Sequence, residues 1–400
     1  MRESINHVGV GVGRTRARAQ SSCAFPHSES SFGCQTLRAA HPVPSMLRLI
    51  VFVLGVSFTA STTSSPGVCD IFAVGGTPCV AAHALTRALF AAYDGPLYRV
   101  FNSQRNESID IGVVSAGGIA NVAPLNQFCA SSLCIVSRIY DQTSRLNHLA
   151  IEVGPSFFGP PRNSRDTGVN ISAQARVSVG GQEVYAAVFD SHCDHWTNGH
   201  SCDGKFAGYS NRSATAPTGD APQTVYALYD GKHFSTGCCM EYGNAENLQN
   251  KSTFGPGAME AVYYGCNDTH PPLPACTEGP YVYSDLEHMH EMMTIPGFEP
   301  VRLVEVDFLL AMVKGQRGRL ATLAADASKD VAMRSLYDGP FPTNYTSNKQ
   351  GAIVLGIGGD NSPWGDGTFY EGALTAGFST DLTDSLVLAN IVSARYATVN

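Results

Sequence analysis

From residue 68 onward the chain is written in short apolar or alternating runs separated by Gly, Pro, Asn and Asp, with few long helical periods. Alternation with a period of two sends successive side chains to opposite faces of a strand. Strands are therefore expected over 108–114, 133–140, 183–189, 224–229, 258–264, 281–286, 301–314, 352–357 and 374–378. Helical signals are confined to 80–93, rich in Ala and Leu after Pro78, and to 383–396. Many short strands, frequent turns and 40 glycines favour an all-β chain folded as a β-sandwich. No internal repeat, heptad pattern or long linker divides 66–400, which is expected to be one domain.

An apolar core at 49–58, preceded by Met46 and Arg48 and followed by Thr59, Ala60 and Ser61, reads as a secretory signal. It is too short for a membrane span, which takes about 20 residues. Residues 1–45 are Arg- and Ser-rich and carry no apolar period. They are expected to be a non-structural extension, with translation starting at Met46 and the signal region at 46–65; the alternative is a long leader before an internal anchor. Residues 1–65 hold six Arg and two Glu, so removing them takes the formal charge from −8 to −12. That acidity argues against nucleic acid or anionic membranes as partners and suits a secreted, extracellular monomer acting on neutral polymers. Sequons begin at Asn106, Asn170, Asn211, Asn250, Asn267 and Asn344, candidate glycosylation sites that fit export.

Ten cysteines lie beyond the signal. Neighbour pairing closes four short loops, Cys69–Cys79, Cys129–Cys134, Cys193–Cys202 and Cys266–Cys276, and leaves the adjacent Cys238 and Cys239 only each other, although spacing does not fix connectivity. Adjacent Cα atoms lie about 3.8 Å apart, inside the usual disulfide range, so a Cys238–Cys239 bridge would be strained and rigid. The alternative is that each bonds a distant partner.

In the run 281–287, the period of two puts Tyr281, Tyr283, Asp285 and Glu287 on one strand face and Val282 and Leu286 on the other, toward a core. Two carboxylates two residues apart, about 7 Å between Cα atoms, can line a sugar cleft; a solvated acidic face is the plainer reading. In the run 352–361, an apolar strand ends in Gly358 and Gly359 and delivers Asp360 and Asn361 at its tip, either beside a ligand or in a simple turn.

Taken in order, these motifs resemble the α-L-arabinofuranosidases of glycoside hydrolase family 54 over essentially all of 68–400. The likeness rests on Cys69-Asp70-Ile71, Thr77-Pro78-Cys79, Ile139-Tyr140-Asp141-Gln142, Cys238-Cys239, Tyr242-Gly243-Asn244-Ala245-Glu246, Asp285-Leu286-Glu287, 355–362 and 367–372. It implies a concanavalin-like β-sandwich (jelly roll) and a retaining mechanism with two carboxylates about 5–5.5 Å apart. By motif, Glu287 is the nucleophile and Asp360 the general acid/base, its pKa raised by repulsion and partial burial. Asp285, Gly359 and Asn361 hold the furanose, and a joined Cys238–Cys239 forms a sulfur wall. The implied substrates are arabinose-containing plant cell-wall polysaccharides and oligosaccharides, without cofactor or metal.

The chain departs from the family at 266–277, where a tryptophan beside the sugar is expected and none stands; His270 or Tyr281 is the candidate substitute. His192, Cys193, His195, His200 and Cys202 resemble a metal cluster, but a disulfide in an inserted loop fits the spacing better, with Trp196 as an outer sugar platform or a loop pin. His288, His290, Glu291 and Glu371 read as structural. The family's C-terminal β-trefoil does not follow, so weaker polymer affinity is expected. A lectin-like binder without hydrolysis and a glycosidase preferring β-D-xylosides are the alternative functions.

Overall fold

The structure is a computed structural model that describes residues 65–152, 167–190, 207–237, 239–247, 255, 257–266, 276–277, 279–287, 289–343, 345–361 and 365–399, with 289–290 described by backbone alone. Several expectations lie outside these residues: the extension and signal, the 193–202 loop, Cys238, His270, His288, and the sequons at Asn250, Asn267 and Asn344.

Two antiparallel sheets form a sandwich. One has nine strands in the order Tyr281–Asp285, Glu260–Gly265, Glu241–Ala245, Ala352–Leu355, Tyr209–Asn211, Leu149–Ile151, Cys134–Ile139, Pro96–Asn102 and Glu107–Gly112. The other runs Cys79–Ala84, Gly367–Ala376, Gln223–Asp230, Phe308–Gln316, Arg319–Asp326 and Arg334–Gly339, with Ala187–Phe189 also paired to Gly367–Ala376. Side chains from both inner faces meet in the core: Ser284 and Thr322 share a hydroxyl bond at 2.8 Å, and Tyr242 Oη lies 2.9 Å from His83 Nδ1. Tyr229 stacks on Tyr264 across the layers. Tyrosine rings bury a large apolar area in this core, and several hydroxyls also find a partner, as Tyr264 does by donating to the Gly231 carbonyl.

The expected helix over 80–93 is absent. Cys79–Ala84 is a strand on Gly367–Ala376, and every residue of 80–89 is buried. The polar residues His83, Thr86 and Arg87 are themselves buried and hydrogen-bonded, so sheet pairing overrides the helical preference of Ala and Leu. The helix instead precedes it, at Val68–Val74, where Asp70 accepts the Gly67 N–H at 2.8 Å and the Cys69–Cys79 disulfide ties helix to strand. The 383–396 expectation becomes helix Asp381–Ala394, capped by the Thr380 hydroxyl.

Other bounds shift. The 301–314 strand begins only at Phe308, because 301–307 is irregular, with Glu305 at a left-handed φ of 59° and the Leu303 N–H given to the Pro280 carbonyl. The 183–189 run splits at Ala186. Gln182–Tyr185 joins a small sheet with Arg176–Val179 and Tyr396–Thr398, and Ala187–Phe189 joins the seven-stranded one. The 374–378 expectation captured only the end of the ten-residue strand Gly367–Ala376. There Glu371 accepts from Arg87, Tyr226 and Tyr396, a buried network that locks the sheet to the last strand.

Candidate active site

The outer face of the nine-stranded sheet carries the acids. Asp285 stands opposite Ala261, which stands opposite Gly243 and then Val354; one row along, Tyr283 faces Tyr263, which faces Glu241. The first row carries small side chains, and Ala245, Ala261 and Val354 form a small buried apolar cluster with Met259 and Ile357. Tyr281, Tyr283 and Tyr263 stack in sequence beside it, with ring centroids 5.8 and 6.1 Å apart. Tyr263 is pinned by its hydroxyl to the Gly237 and Cys266 carbonyls, each at 3.0 Å.

Three turns bring further groups over this face. After Asp285 the strand stops, and Glu287 sits at a φ of 98° with its N–H given to Asp285 Oδ1 at 2.9 Å. The expected strand period therefore holds through Asp285 but not at Glu287, whose place is set by this turn. Holding a non-glycine residue there costs on the order of 1–3 kcal/mol. After Ala352–Leu355, Gly356 turns at a φ of 75° with its N–H on the Glu241 carbonyl. The chain then closes a second turn, in which Asn361 (φ 63°) donates its N–H to the Gly358 carbonyl and Asp360 stands at the tip. The third turn carries Glu246, and its carboxylate lies so close to Gly359 that a Cβ there would fall 1.6 Å from Oε2.

Arg212 holds two of these turns together. Its Nη1 donates to the Glu246 carbonyl at 2.9 Å and to the Gly359 carbonyl at 2.7 Å, while Nε and Nη2 grip the Glu152 carboxylate at 2.7 Å.

Five carboxylates thus converge. Burial first, then contact with Glu246 and the charges of Asp285 and Asp360, pushes the Glu287 carboxyl up to about 12. Glu241, fully buried, is also pushed well above the usual carboxylate range, by burial first and then by Asp285, Asp360 and Glu246. Cys239 is disulfide-bonded, and the other six described cysteines pair among themselves, so its partner lies outside the described residues. Its sulfur and carboxylate oxygens of Glu241 and Asp285 lie within 4.8 Å of one another. An oxidised sulfur offers no thiolate, so of this trio two carboxylates remain as possible ligands.

Of the residues singled out from sequence, Asp285 and Asp360 lie within electrostatic reach of Glu287, Cys239 Sγ lies within 4.8 Å of an Asp285 oxygen, and Gly359 abuts Glu246. Sequence reasoning gave no role to Glu241, Glu246, Arg212 or Glu152. The small-residue alternation in Glu241–Ala245, with Gly243 and Ala245 on the face of Glu241, was the available signal. The Cys69–Cys79, Cys129–Cys134 and Cys266–Cys276 bridges are present.

The profile of the family "Alpha-L-arabinofuranosidase B, catalytic" matches residues 68–397. The chain belongs to glycoside hydrolase family 54. A probable α-L-arabinofuranosidase B of Aspergillus fumigatus is 39% identical over 366 residues, covering 90% of this chain and 68% of the relative. A Trichoderma koningii protein named arabinofuranosidase/B-xylosidase is 39% identical over 345 residues, covering 84% and 64%. A solved arabinofuranosidase complexed with arabinofuranosyl-α-1,2-xylobiose superposes with a TM-score of 0.71 at 34% identity, covering 83% of this chain and 66% of that one. A solved Glu-to-Gln variant of a family 54 enzyme soaked with 4-nitrophenyl α-L-arabinofuranoside gives 0.72 at 33% identity. The chain spans about two thirds of the length of these family 54 relatives. It is a glycoside hydrolase, and the relatives support α-L-arabinofuranosidase activity.

Proposed function

We propose that this family 54 chain is a secreted, retaining exo-α-L-arabinofuranosidase that releases terminal arabinofuranosyl groups from arabinan or arabinoxylan side chains. The observation that carries the reading is the convergence of Glu287 and Asp360, from two different turns, over the face that bears Asp285 and the Cys239 sulfur. In the first step ionised Glu287 attacks the anomeric carbon while Asp360 gives its proton to the leaving oxygen. In the second, Asp360 takes a proton from water, which displaces Glu287 with a second inversion. Asp285, Asn361 and the Gly359 backbone supply polar contacts for furanose hydroxyls. The sulfur and the Tyr281–Tyr283–Tyr263 stack supply apolar surface, which binds without ordering a long side chain.

Glu287→Gln and Asp360→Asn are each expected to lower kcat on 4-nitrophenyl α-L-arabinofuranoside by at least about a thousandfold, from the size of nucleophile and acid contributions. Proton NMR of the first-formed sugar is expected to show the α-anomer, and early β-anomer would refute retention. The Trichoderma koningii name motivates a second reading, a β-D-xyloside side activity, which parallel assays with the xylose aryl glycoside measure. Export is tested by expression from Met46 in a fungal secretion host. Asn106, exposed in a hairpin turn, is the first candidate for glycosylation there.

A further inference from the structure

The chain leaves the edge strand Arg334–Gly339 in a stretch, 340–348, that holds two prolines, two aromatic rings and several hydroxyl and amide side chains but no charged one. Within it the Tyr345 N–H is given to the Pro342 carbonyl at 3.0 Å. That turn lays the Phe341 and Tyr345 rings parallel, with centroids 4.5 Å apart and 6° between their planes. Both rings pack against the core and stay partly exposed. Rings that hold each other are already ordered, so a ligand that covers them does not bear the cost of fixing two side chains.

Hydrogen bonds tie this stretch to the nucleophile. The Asn348 N–H donates to the Gly257 carbonyl at 2.8 Å, and the Gly257 N–H donates to the carbonyl of Leu286, the residue between Asp285 and Glu287, at 2.8 Å. Gly257 stands at a φ of 97°, and a Cβ there would fall 2.0 Å from the Thr346 carbonyl oxygen. Further along, the Ser347 hydroxyl donates to the Gly219 carbonyl at 2.8 Å, and Gln350 accepts the N–H of Asn247, next to Glu246, at 2.9 Å. Ala352 then enters the sheet opposite Ala245. The ring pair therefore stands at the end of the sheet that carries the acids, and the Tyr345 hydroxyl lies within electrostatic reach of Glu260, Glu291 and Asp285. A neutral pyranose offers a face of C–H groups to such rings and hydroxyls to the exposed Thr343 and Thr346 beside them, whereas a charged ligand would meet no counter-charge in the stretch. Resting on the arabinofuranosidase reading, we infer that Phe341 and Tyr345 form a platform for the neutral pyranose unit that carries the scissile arabinofuranosyl group. The platform touches no reacting atom. It favours a glycan over a small leaving group.

The test uses Phe341→Leu and Tyr345→Leu, which keep apolar bulk and lose the flat ring, with melting curves to confirm folding. Values of kcat and KM are measured on arabinofuranosyl-α-1,2-xylobiose and on methyl α-L-arabinofuranoside, whose leaving group holds one carbon. In each variant kcat/KM on the first substrate relative to the second is expected to fall at least about fivefold, chiefly through KM. Inhibition by free xylobiose is expected to weaken by a similar factor. A loss equal on both substrates makes the rings a mere support of the Glu287 turn and overturns the inference, as does xylobiose inhibition unchanged in both variants. Saturation-transfer NMR with xylobiose needs no turnover: transfer to the xylose C–H protons is expected in wild type and a weaker one in the variants, and none in wild type is refuting. Wild type that cleaves the methyl glycoside as well as the xylobiose conjugate brings down the platform and leaves the arabinofuranosidase reading standing. Wild type that cleaves neither brings down that reading, and with it the role of the rings in turnover.

Discussion

Arg212→Met removes a guanidinium that joins the Glu246 segment, the Gly359 turn and Glu152, while keeping an unbranched apolar stem. Two hydrogen bonds from a charged donor to carbonyl oxygens are lost, about 1.5–3 kcal/mol each when such bonds are broken singly. Glu152, whose side chain is 2% exposed, loses its ion pair with Arg212, and removing one member of a buried pair costs about 3–5 kcal/mol in comparable cases. These contributions overlap, and the broken ion pair is the larger, so a fall of about 3–5 kcal/mol in unfolding free energy is expected. The double variant Arg212→Met, Glu152→Gln also removes the buried anionic charge and should recover about half of that loss. It should not recover activity. Without the shared donor, nothing described ties the Gly359 carbonyl to that of Glu246, and Asp360 follows Gly359 directly. Misplacement on the order of 1 Å costs roughly a hundredfold in rate. Urea titration by tyrosine fluorescence reads the stability, and kcat on the aryl arabinofuranoside reads the positioning. A double variant with wild-type kcat would refute the claim that this guanidinium sets the spacing of the two turns.

Three further outcomes follow from the same geometry. Gly359→Ala places a Cβ 1.6 Å from Glu246 Oε2, so activity should fall at least about tenfold, and a fully active variant would contradict the close approach. Glu241 has its pKa raised in the fold, so the native state binds more protons than the unfolded chain above the ordinary glutamate range near pH 4.3. Its contribution is complete below that value and declines as pH rises toward the raised one. The melting temperature should therefore fall from pH 5 to pH 8, and Glu241→Gln should flatten that slope; a slope unchanged in the variant counts against the buried acid. Arg87→Met leaves Glu371 buried without its cation and should cost about 3–5 kcal/mol, while Arg87→Met with Glu371→Gln should recover part of it, both read by urea midpoints.

The strands that were legible in the sequence are those whose alternation ends in turn residues. Residues 108–114 and 133–140 lie within two residues of observed elements because one face of each is more buried than the other, and 224–229, buried throughout, because Thr, Val and Tyr favour a strand. Cys79–Ala84 misled because its residues are buried on both sides, and an all-apolar run with Ala and Leu has no period to read. Glu241–Ala245 escaped because Gly243 and Asn244 are poor strand formers; they fit only because the neighbouring strands leave room for the one and a partner for the other, the Asn244 amide donating to the Pro217 carbonyl at 2.7 Å.

The sequence by itself determined the class of the fold, the local disulfide loops and, through motif order, the acids that meet at the site. Those are properties of short segments: periodicity, turn chemistry and cysteine spacing act over roughly ten residues. It could not determine that Glu287 leaves the strand face of Asp285 in a left-handed turn, or that Glu246 and Glu241 join the cluster. Nor could it foresee that Arg212, more than 100 residues from Gly359, would hold that turn to Glu246. Protonation in such a cluster depends on burial and on the distances between charges brought from separate strands. Only the packed sheets set those distances.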